Sequence, residues 1–195
     1  DQFTGQLGVA AITDGMKDML AHYGIQVKDE MVLDLQNEPF PVQTTRNVGG
    51  FQVQEIQAIN YPFFVDVRQD GMDRTSPILA NLPAVTLNWA SPVETDPEAN
   101  KDRQVTVLLR SSPNSWTTTD LNVTPDMEQY PELGFPMGSE RKSYPLAVSV
   151  QGSFESFFKG KPSPLTEQPP AEGEPQAEKP EETVGAIERS PANTR

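Results

Sequence analysis

A chain of 195 residues with a formal net charge of −13 and a pI near 4.4 has room for one domain, or for one domain and a tail. That acidity argues against nucleic acid and anionic membrane surfaces as partners, because phosphate binding needs clustered Lys and Arg. The absence of cysteine excludes disulfides, thiolate catalysis and Cys-ligated metal, and no apolar run approaches the roughly 20 residues with which a helix crosses a bilayer.

In chain order, residues 1–12 are small, Gly-containing and read as a lead-in. Thr13 or Asp14 is placed to cap a helix through "DGMKDMLAHYG", with Met16, Met19, Leu20 and Tyr23 at helical spacing and Gly24 as the stop. A short strand is expected at 31–35, and helix, Gly, strand is the local grammar of an α/β unit. "FPVQTT" and "GGFQVQEIQAINYPFFVDV" are mostly strand-like, with Pro62 favouring an edge or a strand start. Ile78–Leu82 reads as a turn or short helix, and Ala84–Ala90 as a strand that ends at Ser91-Pro92. Val105–Leu109 is the clearest strand, and 145–151 gives another. Strands joined without helices predict a partly antiparallel sheet.

From Pro162 the composition turns to Pro, Glu, Gln and Ala without aromatics, which cannot bury enough apolar surface to offset chain entropy. The expected organisation is therefore an α/β domain over 1–161, a disordered Pro/Glu-rich linker over 162–185, and the start of a following element over 186–195. The first residue is Asp1, without Met, so the chain reads as part of a longer protein whose anchor or targeting signal lies elsewhere.

Each chemical candidate has a plainer reading. The single histidine, His22, would have to serve any Ser-His-Asp triad, yet it falls at a helix C-terminus, where it interacts favourably with the dipole. Asp66, Asp70 and Asp73 surround Gly71 as hard oxygen ligands would, but their spacing is not that of a calcium loop. "NVT" at Asn122–Thr124 is a formal glycosylation acceptor. "LLRSSPNSWTTTD" most resembles an active site. A nucleophile elbow needs glycines beside its serine, whereas Ser112 is followed by Pro113, which also removes a donor from any phosphate cradle. Leu108 and Leu109 are expected in the core, Trp116 returning to it, and Ser111–Asp120 as an exposed loop with no role beyond contact. Trp89, Trp116, Tyr61 and Phe63 offer a stacking platform for a sugar or solute, or are core.

Several segments in order, "DGMKDMLAHYGIQVKDEMVLD", "YPFFVDV", "SPILANLPAVTLNWASPVE", "VTVLLRSSPNSW", "YPLAVSVQGSFESFFKGKPSP" and "IERSPANTR", resemble GldG-like proteins, auxiliary components of an uncharacterised ABC-type transport system linked in some bacteria to gliding motility. The resemblance implies a fragment of a Rossmann-like α/β domain related to ThuA-like and glutamine-amidotransferase-like folds, with a strand and Gly-Gly turn before Asp1 and an apolar strand after Arg195. Ser76-Pro77-Ile78 stands where such proteins often have His-Pro-Ile. The parent would be membrane-anchored, with this region on the extracytoplasmic (periplasmic) side of the bacterial inner membrane. Its partners would be ABC permease or ATPase subunits or envelope proteins, and not nucleic acid. The expected function is a non-catalytic interaction domain, with no catalytic, cofactor-binding or metal residues and no cofactor. The alternatives are a carbohydrate- or solute-binding module, and a degenerate amidotransferase-like enzyme or a hydrolase using Ser111 or Ser112 with His22.

Overall fold

The computed structural model describes residues 9–10, 12–161 and 187–195; most of the expected lead-in over 1–12 and all of the expected linker over 162–185 lie outside the described residues. The described elements are α1 (Met16–His22), β1 (Ile25–Val27), β2 (Met31–Asp34), β3 (Asn37–Val48), β4 (Phe51–Arg68), β5 (Ala84–Asn88), β6 (Val93–Thr95), β7 (Gln104–Arg110), β8 (Ser115–Thr118) and β9 (Pro145–Gln151).

Every ladder among them is antiparallel: β1 with β6, β2 with β8, β7 with β9, and β3-β4-β5 as a three-stranded sheet. The expected antiparallel pairing is thus present, but in four small sheets among the described residues and not in one mixed sheet, and these residues depart from the Rossmann-like α/β expectation. The helix, the stop at Gly24 and the strand expected at 31–35 are present, the last as β2, with the further short strand β1 between Gly24 and β2. Of the strands after the helix only β3 and β4 are joined by a tight turn; β1 with β6, β2 with β8 and β7 with β9 pair across long stretches of chain, and a parallel pairing would have required crossover connections. The helix is held at its start by Asp14, whose Oδ1 accepts Met16 N–H at 2.9 Å, although the backbone cap position is Gly15. It stops at Gly24, whose φ of +75° suits glycine and whose missing Cβ leaves room for Asn100 Nδ2.

β3 and β4 form a long hairpin closed by Gly49-Gly50. Pro62 is not at an edge but inside β4. It lies between Asn60, the last β4 residue on the continuous β3 ladder, and Phe64, the first on the β5 ladder. A missing N–H costs least at such a gap.

The core is two clusters. Met31, Leu33, Tyr61, Phe63, Trp116, Val123, Leu133 and Phe135 form one; Val32, Val65, Val67, Met72, Leu79, Leu109 and Leu146 form the other. β2 divides them: its alternate residues enter opposite clusters, so all four are buried, as in a strand covered on both faces. Leu109 is in the core as expected, with Leu108 packed against it. The expectation of an exposed loop over Ser111–Asp120 is corrected. Ser111, Ser115 and Trp116 are buried, and Ser115–Thr118 is β8, paired to β2. The last nine residues lie back along residues 152–156, with Gly152 N–H donating to Thr194 O at 2.9 Å and Ser156 N–H to Glu188 O at 2.8 Å.

Candidate functional site

Two places gather polar or aromatic groups where a strand ends. The first is the corner after β5. Trp89 has φ 51°, a left-handed conformation that costs a non-glycine residue roughly 1–2 kcal/mol. The surroundings impose it: Trp89 N–H donates to Phe63 O at 2.9 Å, and Ala90 O accepts Val32 N–H at 2.8 Å. The indole stands edge-on to Tyr61 and Phe64, with centroids 6.5 and 5.2 Å away. Its Nε1 donates to Tyr61 Oη at 3.3 Å, and Tyr61 Oη donates to Val123 O at 2.7 Å. Tyr61 is fully buried, and that burial raises the pKa of its phenol, partly opposed by the bond from Trp89.

Trp89 remains 40% exposed and lines a cleft of about 500 Å³ with Ile12, Lys28, Glu30, Ser91 and Thr118. Near it Lys17 pairs with Asp29, and Lys28 with Glu94 at 2.6 Å. An aromatic face beside hydroxyls and paired charges suits a polar solute with an apolar face, such as a sugar. Of the four aromatics proposed as a platform, Trp89 alone is open. Trp116, Tyr61 and Phe63 are core, Tyr61 acting as its support. Strand propensity at Trp89 was legible from the residues around it; its backbone conformation was not.

The second place is the turn after β7. Asp34, fully buried at the end of β2, accepts Ser112 Oγ–H at 2.6 Å, Ser112 N–H at 2.7 Å and Gln36 N–H at 2.9 Å. Ser111 Oγ accepts Tyr144 N–H at 2.8 Å and lies 2.6 Å from Ser115 Oγ. Ser115 Oγ is also 2.6 Å from Lys142 O. These hydroxyls and carboxylate fasten β2, β7, β8 and the entry to β9. His22 makes its contacts elsewhere, its Nε2 3.0 Å from Glu155 O and its ring edge-on to Tyr23 and Phe157; no hydrogen bond links it to the serines. Asp34 was missed by sequence reasoning, yet an acid within the apolar run "MVLDL" is a signal for an internal acceptor.

Of the aspartates around Gly71, Asp66 and Asp73 are each engaged locally. Asp66 Oδ2 accepts Arg68 Nε–H at 2.8 Å, and Asp73 Oδ1 accepts Thr75 N–H and Oγ1–H at 3.0 and 2.7 Å. Among the described residues no three metal-ligating side chains cluster. Asn122 Oδ1 accepts Thr124 N–H at 3.1 Å in a local turn. Ser76, at the position noted for its departure from histidine, is buried, and its carbonyl accepts Leu79 and Ala80 N–H.

A family described as "ABC-type uncharacterized transport system" matches residues 2–185, and the chain belongs to that family. It is also 23% identical over 155 residues to an uncharacterized protein of Borreliella burgdorferi. The match covers 78% of this chain and 28% of that protein, so the chain spans less than a third of the relative's length. No solved structure matches it. Among the described residues no helix is long and apolar enough to cross a membrane.

Proposed function

We propose that this member of the ABC-type uncharacterized transport system family is a non-catalytic, extracytoplasmic binding domain of the system's auxiliary component, carried by a membrane-anchored parent. The supporting observation is the inward commitment of the groups a hydrolase would need. Ser112 and Ser111 are fastened to Asp34 and Tyr144, and His22 is occupied at Glu155. ATP hydrolysis falls to a separate subunit, since the sequence has no Gly-Lys-Ser/Thr phosphate loop. The partners are the permease or ATPase subunits or an envelope protein. The gliding-motility link, the periplasmic side and a Rossmann-like completion of the domain in the longer protein belong to the same proposal.

The test is co-expression of the tagged chain with the transport subunits encoded beside its parent, followed by purification from detergent. Retention of those subunits supports the reading. A chain that elutes alone while the tagged parent retains them overturns it, as does ester turnover that disappears in Ser112→Ala.

A second reading, a solute-binding module, is favoured by the Trp89 corner, where a strained backbone holds an aromatic face open to a cleft. Its test is indole fluorescence in a Trp116→Phe background, which leaves Trp89 as the reporter. A shift on titration with particular sugars or peptides supports it; an unchanged spectrum across the panel rejects it.

A further inference from the structure

β4 is paired on both sides along only part of its length. β5 lies against Phe64–Arg68, and over residues 51–60 β3 is the one partner among the described residues. The position that β5 fills near the base is therefore empty along the projecting part of the hairpin, where residues 51–58 of β4 are all exposed.

The turn determines which backbone groups face that empty position. Gly49 and Gly50 have φ 61° and 90°, as in a two-residue type I′ turn, whose closing pair Val48–Phe51 exchanges both hydrogen bonds. Counting from that pair, odd-numbered residues of β4 bond to β3, while Gln52, Gln54, Ile56 and Ala58 turn their N–H and C=O outward. The bond from Tyr61 N–H to Asn37 Oδ1, on the β3 side, agrees with this count. On the opposite edge of the hairpin, Pro39 and Pro41 occupy outward positions, paired with Asn60 and Ala58, and remove two donors, a common protection for an edge. The outer edge of β4 has no proline before Pro62. Its exposed side chains include the apolar Phe51 at 77% and Ile56 at 73%.

Charge and register select the occupant. Residues 41–58 carry one base, Arg46, and one acid, Glu55, in a chain of net charge −13. Two copies are repelled body to body, but not hairpin to hairpin. An antiparallel pairing of β4 with itself about a twofold at Ile56 sets Ile56 against Ile56, Gln54 against Ala58, Gln52 against Asn60, Val53 against Ile59 and Glu55 against Gln57. All the outward groups then meet outward groups, and no like charges oppose each other. A twofold at Glu55 would oppose two carboxylates, which is unfavourable across a strand pair.

We propose that this hairpin is a dimerisation element, with the outer edge of β4 pairing antiparallel to β4 of a second copy about Ile56, to give a four-stranded β3-β4-β4-β3 sheet. The chain lacks cysteine, so single cysteines report the register. Paired residues in that ladder position have Cα atoms about 5.5 Å apart, within the disulfide range of about 4.4–6.8 Å. Sedimentation at micromolar chain is expected to show a dimer, and Ile56→Lys to weaken it about tenfold. Ile56→Cys is expected to form a disulfide-linked dimer under mild oxidation, while Gln52→Cys, facing Asn60, does not. Ile56 is exposed, so an unchanged melting transition separates loss of pairing from loss of fold. A monomer at the highest soluble concentration, a dimer indifferent to Ile56→Lys, or equal cross-linking of both cysteine variants overturns the proposal. The monomer outcome would leave the edge to an extended segment of another protein.

Discussion

The turn after β7 and the corner after β5 are both places where a strand ends in residues that look functional, and they use those residues in opposite ways. At the first, serines and a carboxylate face inward. Asp34 is fully buried and accepts three hydrogen bonds, two of them from Ser112, so polarity there is spent on joining strands. At the second, Trp89 is held partly outward in a left-handed conformation by backbone bonds on either side. Polar residue types in a row therefore say less about a site than whether their partners lie within the fold. An unfavourable conformation that leaves a side chain exposed is the better pointer to contact with something else.

The strongest way to break this contrast is at Asp34. Asp34→Ala leaves Ser112 N–H, Ser112 Oγ and Gln36 N–H without their acceptor in partly buried surroundings, and is expected to destabilise the fold by about 3 kcal/mol or more, since each buried donor left unsatisfied costs about 1–3 kcal/mol. Ser112→Ala, which loses one of the three bonds, is expected to cost about 1–2 kcal/mol. Urea unfolding monitored by Trp116, buried in β8 beside this turn, measures both. If Asp34→Ala were neutral, the turn would not be the fastening described here, and its hydroxyls would be open to a functional role.

How far the sequence carried depends on whether local pattern or distant pairing decided the outcome. The strands at 31–34, 104–110 and 145–151 were legible because β-branched and apolar residues run together between turn residues. The helix over Met16–His22 was legible from its spacing and from Gly24. The β3–β4 hairpin was legible as two strand-like stretches around Gly49-Gly50, but not as one projecting unit: "FQVQEIQA" alternates much as a half-buried strand does, and what leaves it bare is that β5 is too short to cover it. β8 was missed because Ser115–Thr118 is polar in sequence, and its burial comes from pairing with β2 across some eighty positions of chain. Of the candidate site, Trp89 was named but not its conformation. Asp34 was not named, because its donors are brought to it only by the fold.

Tyr61 gives the next effect in size, and it sharpens the contrast from the other side. Its phenol is buried, so its pKa is raised above the ordinary 10.0. The folded state thus holds this proton more tightly than the unfolded state. The corresponding stability is fully present below about pH 10 and is lost as pH rises through the higher folded value. Tyr61→Phe is expected to flatten that alkaline loss while costing about 1 kcal/mol at neutral pH, because Val123 O loses its donor and Trp89 Nε1 its acceptor. Thermal melts of both proteins from pH 7 to 11 measure the two effects together. An equal alkaline decline in the variant would assign the loss to other groups.

The smallest effect isolates backbone from side chain at Trp89. Both Trp89→Ala and Trp89→Gly remove the indole contacts to Tyr61 and Phe64, so that loss cancels in their comparison. In a strand, glycine is usually the less stable of the two by roughly 0.5–1 kcal/mol. At φ 51° the order is expected to reverse, because alanine keeps a Cβ that crowds the following carbonyl at roughly 1–2 kcal/mol and glycine does not. Trp89→Gly is therefore expected to unfold at higher urea than Trp89→Ala by about 0.5–1 kcal/mol. If alanine were the more stable, the corner would have relaxed out of the left-handed region once the indole was gone. In that case the indole's own packing, and not the backbone bonds of Trp89 and Ala90, would be what holds the aromatic face open to the cleft.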